Sequence, residues 1–147
     1  MEIKKQEKYM LEKTFAIIKP DAVAAKNAGK IIDRIEAEGF TIKGMKKIHM
    51  TKSLAERFYF VHRERPFYND LTNFMSSGPC IVMCLEKEDA IKGWRNLMGA
   101  TNPEAAEANT LRKLYGKNID NNAVHGSDAP ETAAEEVAFF FSGTELV

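Results

Sequence analysis

The stretch Asn122-Ala123-Val124-His125-Gly126-Ser127-Asp128-Ala129-Pro130-Glu131 decides how this chain is read. Asn122 to Val124 predict a short strand. Asp128 to Phe140 carry the signs of a helix, with Asp128 as N-cap, Pro130 in the first turn and Glu131 three residues after the cap. His125 then stands at a strand-to-helix turn. Gly126 permits a tight bend there. The first amides of the helix direct unpaired N–H groups and a positive dipole end toward the same space, which suits a phosphoryl group. Taken without its neighbours, His125 reads equally well as a packed or solvent-facing histidine in a capped turn.

Working outward, Thr14 to Ile18 predict a first strand ended by Lys19-Pro20-Asp21, since Pro20 cannot donate to a ladder. Ile31, Ile32 and Ile35 give a helical stripe closed by Gly39, and Phe40 to His49 supply a second strand. Thr51 to Val61 read as a capped helix, broken at Arg65-Pro66 before a further helix to Met75. Ser76 to Pro79 turn the chain into an apolar third strand, Cys80 to Leu85. A helix from Glu88 to Met98 follows, then a polar loop from Gly99 to Asn109 and a helical piece from Thr110 to Tyr115. This order predicts a ferredoxin-like βαββαβ sandwich, an α/β (α+β) fold in which a four-stranded antiparallel sheet has helices packed on it. A doubly wound parallel sheet would want a glycine-rich first turn, and neither G-x-G-x-x-G nor G-x-x-x-x-G-K-[ST] occurs.

With 147 residues the chain suffices for one domain with a full core, expected over residues 13–147, with residues 1–12 as a charged, frayed extension. Lys+Arg and Asp+Glu both number 21, so no bulk field draws in nucleic acid or an anionic membrane, and an anion site must come from a local cluster of cations. No apolar run approaches the ~18 residues of a membrane span, and the N-terminus lacks the apolar core of a secretion signal. Cys80 and Cys84 lie on one face of a strand, too far apart for a disulfide and too few for zinc. They read as buried thiols in a reducing compartment, which fits the cytoplasm.

Four cations sit at element boundaries: Lys19, Arg65, Arg95 and Arg112. Each alone reads as a solvated surface charge; together with His125 they make a candidate phosphate site. Phe67 and Tyr59 flank Arg65-Pro66 and offer either an aromatic face to a base or ordinary core. Glu136, in the helix after the histidine, borders the buried stripe, within reach of the imidazole.

Asn122-Ala123-Val124-His125-Gly126-Ser127-Asp128 resembles the active-site motif of nucleoside diphosphate kinases. Ile18-Lys19-Pro20-Asp21-Ala22-Val23, Arg65-Pro66-Phe67, Ser77-Gly78-Pro79 and Gly99-Ala100-Thr101-Asn102-Pro103 are similar to the rest of that family in order, from about Thr14 to the C-terminus. The resemblance implies a ping-pong transfer of the γ-phosphoryl of a nucleoside triphosphate to His125 and then to a nucleoside diphosphate. An imidazole is largely neutral near pH 7 and so nucleophilic, and a covalent intermediate lets one site serve donor and acceptor in turn.

By motif position, Lys19 is expected at the transferred phosphoryl and the sugar, and Arg95, Thr101 and Arg112 at the phosphates. Asn122 is expected at the ribose 3′-hydroxyl, Phe67 on the base, Tyr59 in support of Lys19 and the phosphoryl, and Ser127 and Glu136 holding His125; Arg65 is structural in this scheme. The resemblance further implies Mg²⁺ carried mainly by the nucleotide phosphates and not by protein side chains, broad base tolerance, and a homo-oligomer. The short tail from Ser142 to Val147 resembles bacterial members and favours a tetramer over a hexamer. Three residues depart from the family's usual pattern: Ala100 in place of Glu, Asn109 in place of Gly, and Trp94 beside Arg95. Two other readings remain: a histidine-based phosphatase, which puts Arg where Val124 stands, and a noncatalytic nucleotide-binding module on the same scaffold.

Overall fold

Phe15 to Ile18 are buried without alternation because the strand that carries them has protein on both faces. In the computed structural model, which describes residues 10–147, this strand is β1 (Glu12–Ile18). It lies in one sheet with β2 (Thr41–Ile48), β3 (Cys80–Lys87) and β4 (Val124–Gly126). The order across the sheet is β2-β3-β1-β4 with every neighbouring pair antiparallel, the arrangement expected from the alternation of elements. The helices are α1 (Pro20–Ala24), α2 (Ala28–Ala37), α3 (Lys52–Phe58), α4 (Tyr68–Met75), α5 (Ala90–Met98), α6 (Leu111–Tyr115) and α7 (Pro130–Phe140).

The two-residue period of the strands sorts the core into two layers. Ala16, Ile18, Met83, Leu85 and Val124 pack with Ile31 and Ile35 of α2, Trp94 and Leu97 of α5, and Leu111 of α6. On the other face, Phe15, Ile17, Val82, Cys80 and Cys84 meet Ala55 of α3, Met75 of α4 and Val137 of α7. Both cysteines are free, and burial pushes the Cys80 thiol up to about 11, which keeps it protonated and unreactive. Gly39 takes φ +90° just past α2, and the Thr51 hydroxyl accepts from the Leu54 amide at the start of α3, as their positions in the sequence imply.

Four local expectations are corrected. β1 begins at Glu12, because Glu12 and Lys13 pair across to Lys87 and Glu86 and Lys13 forms an ion pair with Glu86 at 3.4 Å. The remainder of the expected extension, residues 1–9, lies outside the described residues. The last strand runs from Val124 to Gly126 and not from Asn122 to Val124, so His125 is in mid-strand opposite Ile17. The chain at Ala123 is occupied by a turn with φ +72°, which delays the strand. Gly126 therefore bends nothing: it is glycine because a Cβ there would lie 2.5 Å from Cδ1 of the Trp94 indole. Finally, α7 starts from Ala129 without a side-chain cap, since the Asp128 carboxylate is engaged by Arg95.

Candidate active site

Since His125 pairs opposite Ile17, its ring falls on the Phe15–Ile17 face of the sheet, among Phe15, Phe58 and Tyr59 at centroid distances of 6.1, 5.8 and 6.2 Å. These edge-on rings fix the plane of the imidazole. One carboxylate oxygen of Glu136, on the second turn of α7, sits 3.0 Å from His125 Nε2 and accepts from the Ser127 hydroxyl at 2.6 Å. A carboxylate oxygen can only accept, so the proton of a neutral His125 resides on Nε2 and the lone pair on Nδ1. The mainchain of His125 is held from the opposite face, where the Trp94 indole N–H donates to its carbonyl at 3.1 Å. The absent Cβ of Gly126 is what lets the indole approach so closely.

His125 opens into a cleft of about 1200 Å³, whose walls bring together Lys19, Tyr59, Phe67, Arg95, Thr101, Arg112 and Asn122. Ser127 and Glu136 stand behind the histidine, outside the lining. Arg65 is exposed and takes no part in the cleft. Lys19 follows β1 directly and is almost wholly buried, and its ammonium donates to Asn122 Oδ1 at 2.8 Å. Asn122 Nδ2 in turn donates to the Thr101 carbonyl at 3.1 Å. Arg112, on α6, donates to the carbonyls of Gly99 and Val124 at 3.0 and 2.9 Å, which aligns its guanidinium with both the loop and the strand.

Burial and the neighbouring Arg112 pull the Lys19 ammonium down to about 8, against Asp21 and Asp120, which favour the charged form. Arg112, buried and facing Arg95, is drawn down to about 10. Two buried cations placed against one another are poised for an anion. Tyr59, expected in support of Lys19 and the phosphoryl, lines the same cleft as Lys19. Its hydroxyl is buried with no protein partner, and burial beside Glu136 drives it well above the usual phenol range. Arg112 Nε is likewise without a protein partner. Arg95 pairs at the cleft mouth with Asp128. Among the described residues no group of three or more His, Cys, Asp or Glu could hold a metal.

Two departures noted in the sequence find their reasons here. Asn109 has φ +68°, a left-handed conformation that Asn tolerates better than most residues, so it can stand for Gly. Trp94 fills the space under β4, with its indole against the Gly126 backbone. Sequence reasoning missed Ile119, which lines the cleft with its side chain 56% exposed, in company with Phe67 at 46%. Its signal was a lone apolar residue in the polar run Lys117 to Asn122. Asp21, whose carboxylate accepts from the Ala123 amide at 3.1 Å, was also missed as a contributor to the site.

A histidine with one nitrogen held and the other free, facing buried cations across a nucleotide-sized cleft, defines a phosphotransferase site. Comparison with known proteins agrees: residues 12–146 match the family model described as nucleoside diphosphate kinase. A nucleoside diphosphate kinase of Trichlorobacter lovleyi is 63% identical over 137 residues, covering 93% of this chain and 99% of its own. That of Geobacter sulfurreducens is 58% identical, covering 93% and 100%. The solved nucleoside diphosphate kinase of Aquifex aeolicus superposes with a TM-score of 0.92 at 47% identity, over 94% of this chain and 100% of that one. That of Halobacterium salinarum, in complex with CDP, gives 0.90 at 37%, over 94% and 92%. This chain belongs to the nucleoside diphosphate kinase family. It is a phosphotransferase that exchanges a phosphoryl group between nucleoside tri- and diphosphates.

Proposed function

We propose that His125 carries the phosphoryl group between the two nucleotides, with Nδ1 as the attacking atom. The observation that carries this reading is the 3.0 Å contact of His125 Nε2 with Glu136, which leaves Nδ1 as the free nucleophile. Nδ1 attacks the γ-phosphorus, the bond to the β,γ-bridging oxygen breaks, and the nucleoside diphosphate departs with that electron pair. The positive charge gained by the ring is offset through Nε2–H and Glu136, and Ser127 keeps the carboxylate in place. In the second half-reaction a β-phosphate oxygen of the acceptor attacks phosphorus and the P–N bond breaks, restoring the neutral ring.

Lys19, Arg95, Thr101 and Arg112 hold the phosphates in line with Nδ1 and neutralise their charge, and Tyr59 turns its unpartnered hydroxyl to the same group. Asn122, held by Lys19 and Thr101, meets the ribose 3′-hydroxyl. Phe67 stacks on the base, with Ile119 in the same cleft as a second apolar contact. The CDP bound to the Halobacterium relative supports this use of the cleft. Among the described residues the cleft has no carboxylate cluster for a metal, and its cations Lys19, Arg95 and Arg112 suit a nucleotide whose own phosphates would hold Mg²⁺; bound there, the ion would supply charge neutralisation.

Initial rates measured at several fixed concentrations of the second nucleotide are expected to give parallel double-reciprocal lines, and intersecting lines contradict a carrier histidine. Replacing Phe67 by Ala removes a stacking contact worth ~1–3 kcal/mol per base and raises KM roughly 5- to 150-fold for purine and pyrimidine nucleotides alike. Base-selective loss in that assay would point instead to hydrogen-bond readout. Glu136→Gln keeps an acceptor for Nε2–H without the charge, so kcat should fall roughly 10- to 100-fold with KM near that of the parent.

The chain forms a homo-oligomer, a tetramer in preference to a hexamer, and light scattering should return a mass near four times the 16.6 kDa of one chain. We place it in the cytoplasm, in keeping with its free, buried cysteines. Among the described residues no helix is long and apolar enough to cross a membrane.

A further inference from the structure

Two residues before His125 the backbone adopts a conformation that alanine resists. Ala123 has φ +72°, and the Val124 amide donates to the Asn122 carbonyl at 2.9 Å, closing a γ-turn of the rare positive-φ form. Nothing in the side chain of Ala123 favours this, and its neighbours cannot slacken freely. Asn122 bonds Lys19 and Thr101, while Val124 is already in the ladder with β1. What holds the turn is the segment that follows β1. The Lys19 amide donates to the Ala123 carbonyl at 2.8 Å, and the Asp21 carboxylate accepts from the Ala123 amide at 3.1 Å. Both polar groups of the strained residue are thus clasped by Lys19 and Asp21, about a hundred residues away in the chain.

Asp21 also has an electrostatic neighbour. Its other oxygen is buried with no protein partner, and its charge acts on the Lys19 ammonium. The groups whose charges act on that ammonium are Asp21 from α1, Arg112 from α6 and Asp120 from the loop before β4. Arg112 and burial favour the neutral amine, and the two carboxylates oppose them.

We propose that Asp21 is a positioning residue of the transfer reaction: it clasps the strained turn at Ala123, so that Asn122 and His125 stay in register on either side of it, and it places a negative charge two residues along the chain from the buried Lys19. The proposal rests on His125 as the carrier and Lys19 as a phosphate ligand. If the clasp opened and the turn relaxed, the chain would gain freedom directly before a three-residue edge strand. A slip of one position there turns a side chain to the other face of the sheet.

The test uses the full chain with D21N, D21A and the double variant D21A/A123G. Three readouts are taken: kcat/KM for the triphosphate against pH, the single-turnover rate of His125 phosphorylation, and the thermal midpoint. In the parent, kcat/KM is expected to fall on the alkaline side as Lys19, drawn down to about 8 by burial, loses its proton. Asn retains an acceptor for the Ala123 amide without the charge, so D21N moves that alkaline limb to lower pH by about half a unit or more. D21A loses the clasp as well, and phosphorylation at pH 7 slows roughly tenfold with KM little changed. Glycine adopts positive φ without help, so A123G in the D21A background recovers about a third or more of the lost rate.

A D21N profile that superimposes on the parent's overturns the proposal. So does a D21A protein that phosphorylates at the parental rate, even with a lower thermal midpoint, and so does a double variant with no recovery. Failure of the carrier reading itself shows separately, as a parent that forms no phosphohistidine in the same single-turnover assay.

Discussion

His125→Gln should abolish nucleotide exchange, with kcat falling by roughly 10⁴-fold or more, because the side chain that accepts the phosphoryl group is gone. Glutamine fills part of the same space and can still donate to Glu136, so the sheet and α7 keep their contacts and the thermal midpoint should stay within a few degrees. Nucleotide affinity should change little, since Lys19, Phe67, Arg112 and Asn122, which line the same cleft, are untouched. The measurement is a coupled exchange assay beside direct binding of a nucleoside diphosphate. Retained binding with lost turnover is the signature of a carrier residue. A variant with residual activity above about 1% of the parent would place the transfer elsewhere or make it direct between nucleotides.

The second large effect is expected beneath the nucleophile, at Trp94. Its side chain is fully buried, crosses the Phe40 ring edge-on at 6.2 Å, and supports β4 from below through the His125 carbonyl. Trp94→Ala removes a whole indole from a site that cannot collapse onto a glycine, and losses of this kind cost about 3–5 kcal/mol. For a domain of this size that lowers the thermal midpoint by about 10 °C. Activity per folded molecule should fall as well, roughly tenfold, because β4 is a three-residue edge strand whose nucleophile then loses its fixed depth. Gly126→Ala attacks the same contact from the other side, forcing a methyl to within 2.5 Å of the indole. A thermal scan and a single-turnover rate on Trp94→Ala decide the matter. A midpoint within 2–3 °C of the parent would mean that the indole is not the support described here.

Much of the fold is legible in the chain because burial dictates residue type. Cys80 to Leu85 and Phe15 to Ile18 have to be two-sided strands, and Gly39, Thr51 and the Arg65-Pro66 break punctuate the helices where the structure has them. The charged end of β1 was hidden, since Glu12 and Lys13 join the ladder through mainchain pairing and ion pairs that no apolar period records. In the site, the residues that face the cleft are readable as a motif, whereas their supports are not. Nothing in Ala123 announces a positive φ, and Gly126 looks like a hinge until the indole beneath it is seen. Asp128 has the chemistry of a helix cap, and its use by Arg95 follows from tertiary placement alone. Such contacts join residues 30 to 100 positions apart, beyond the range of any local pattern.

Which nitrogen of His125 bears the phosphoryl group tests the account most directly. Phosphoenzyme formed with γ-labelled ATP, isolated and analysed by ³¹P NMR under alkaline conditions, should contain Nδ1-phosphohistidine at position 125, acid-labile and discharged by added nucleoside diphosphate. Phosphate on Nε2, on another residue, or passing to water as readily as to the diphosphate would contradict it.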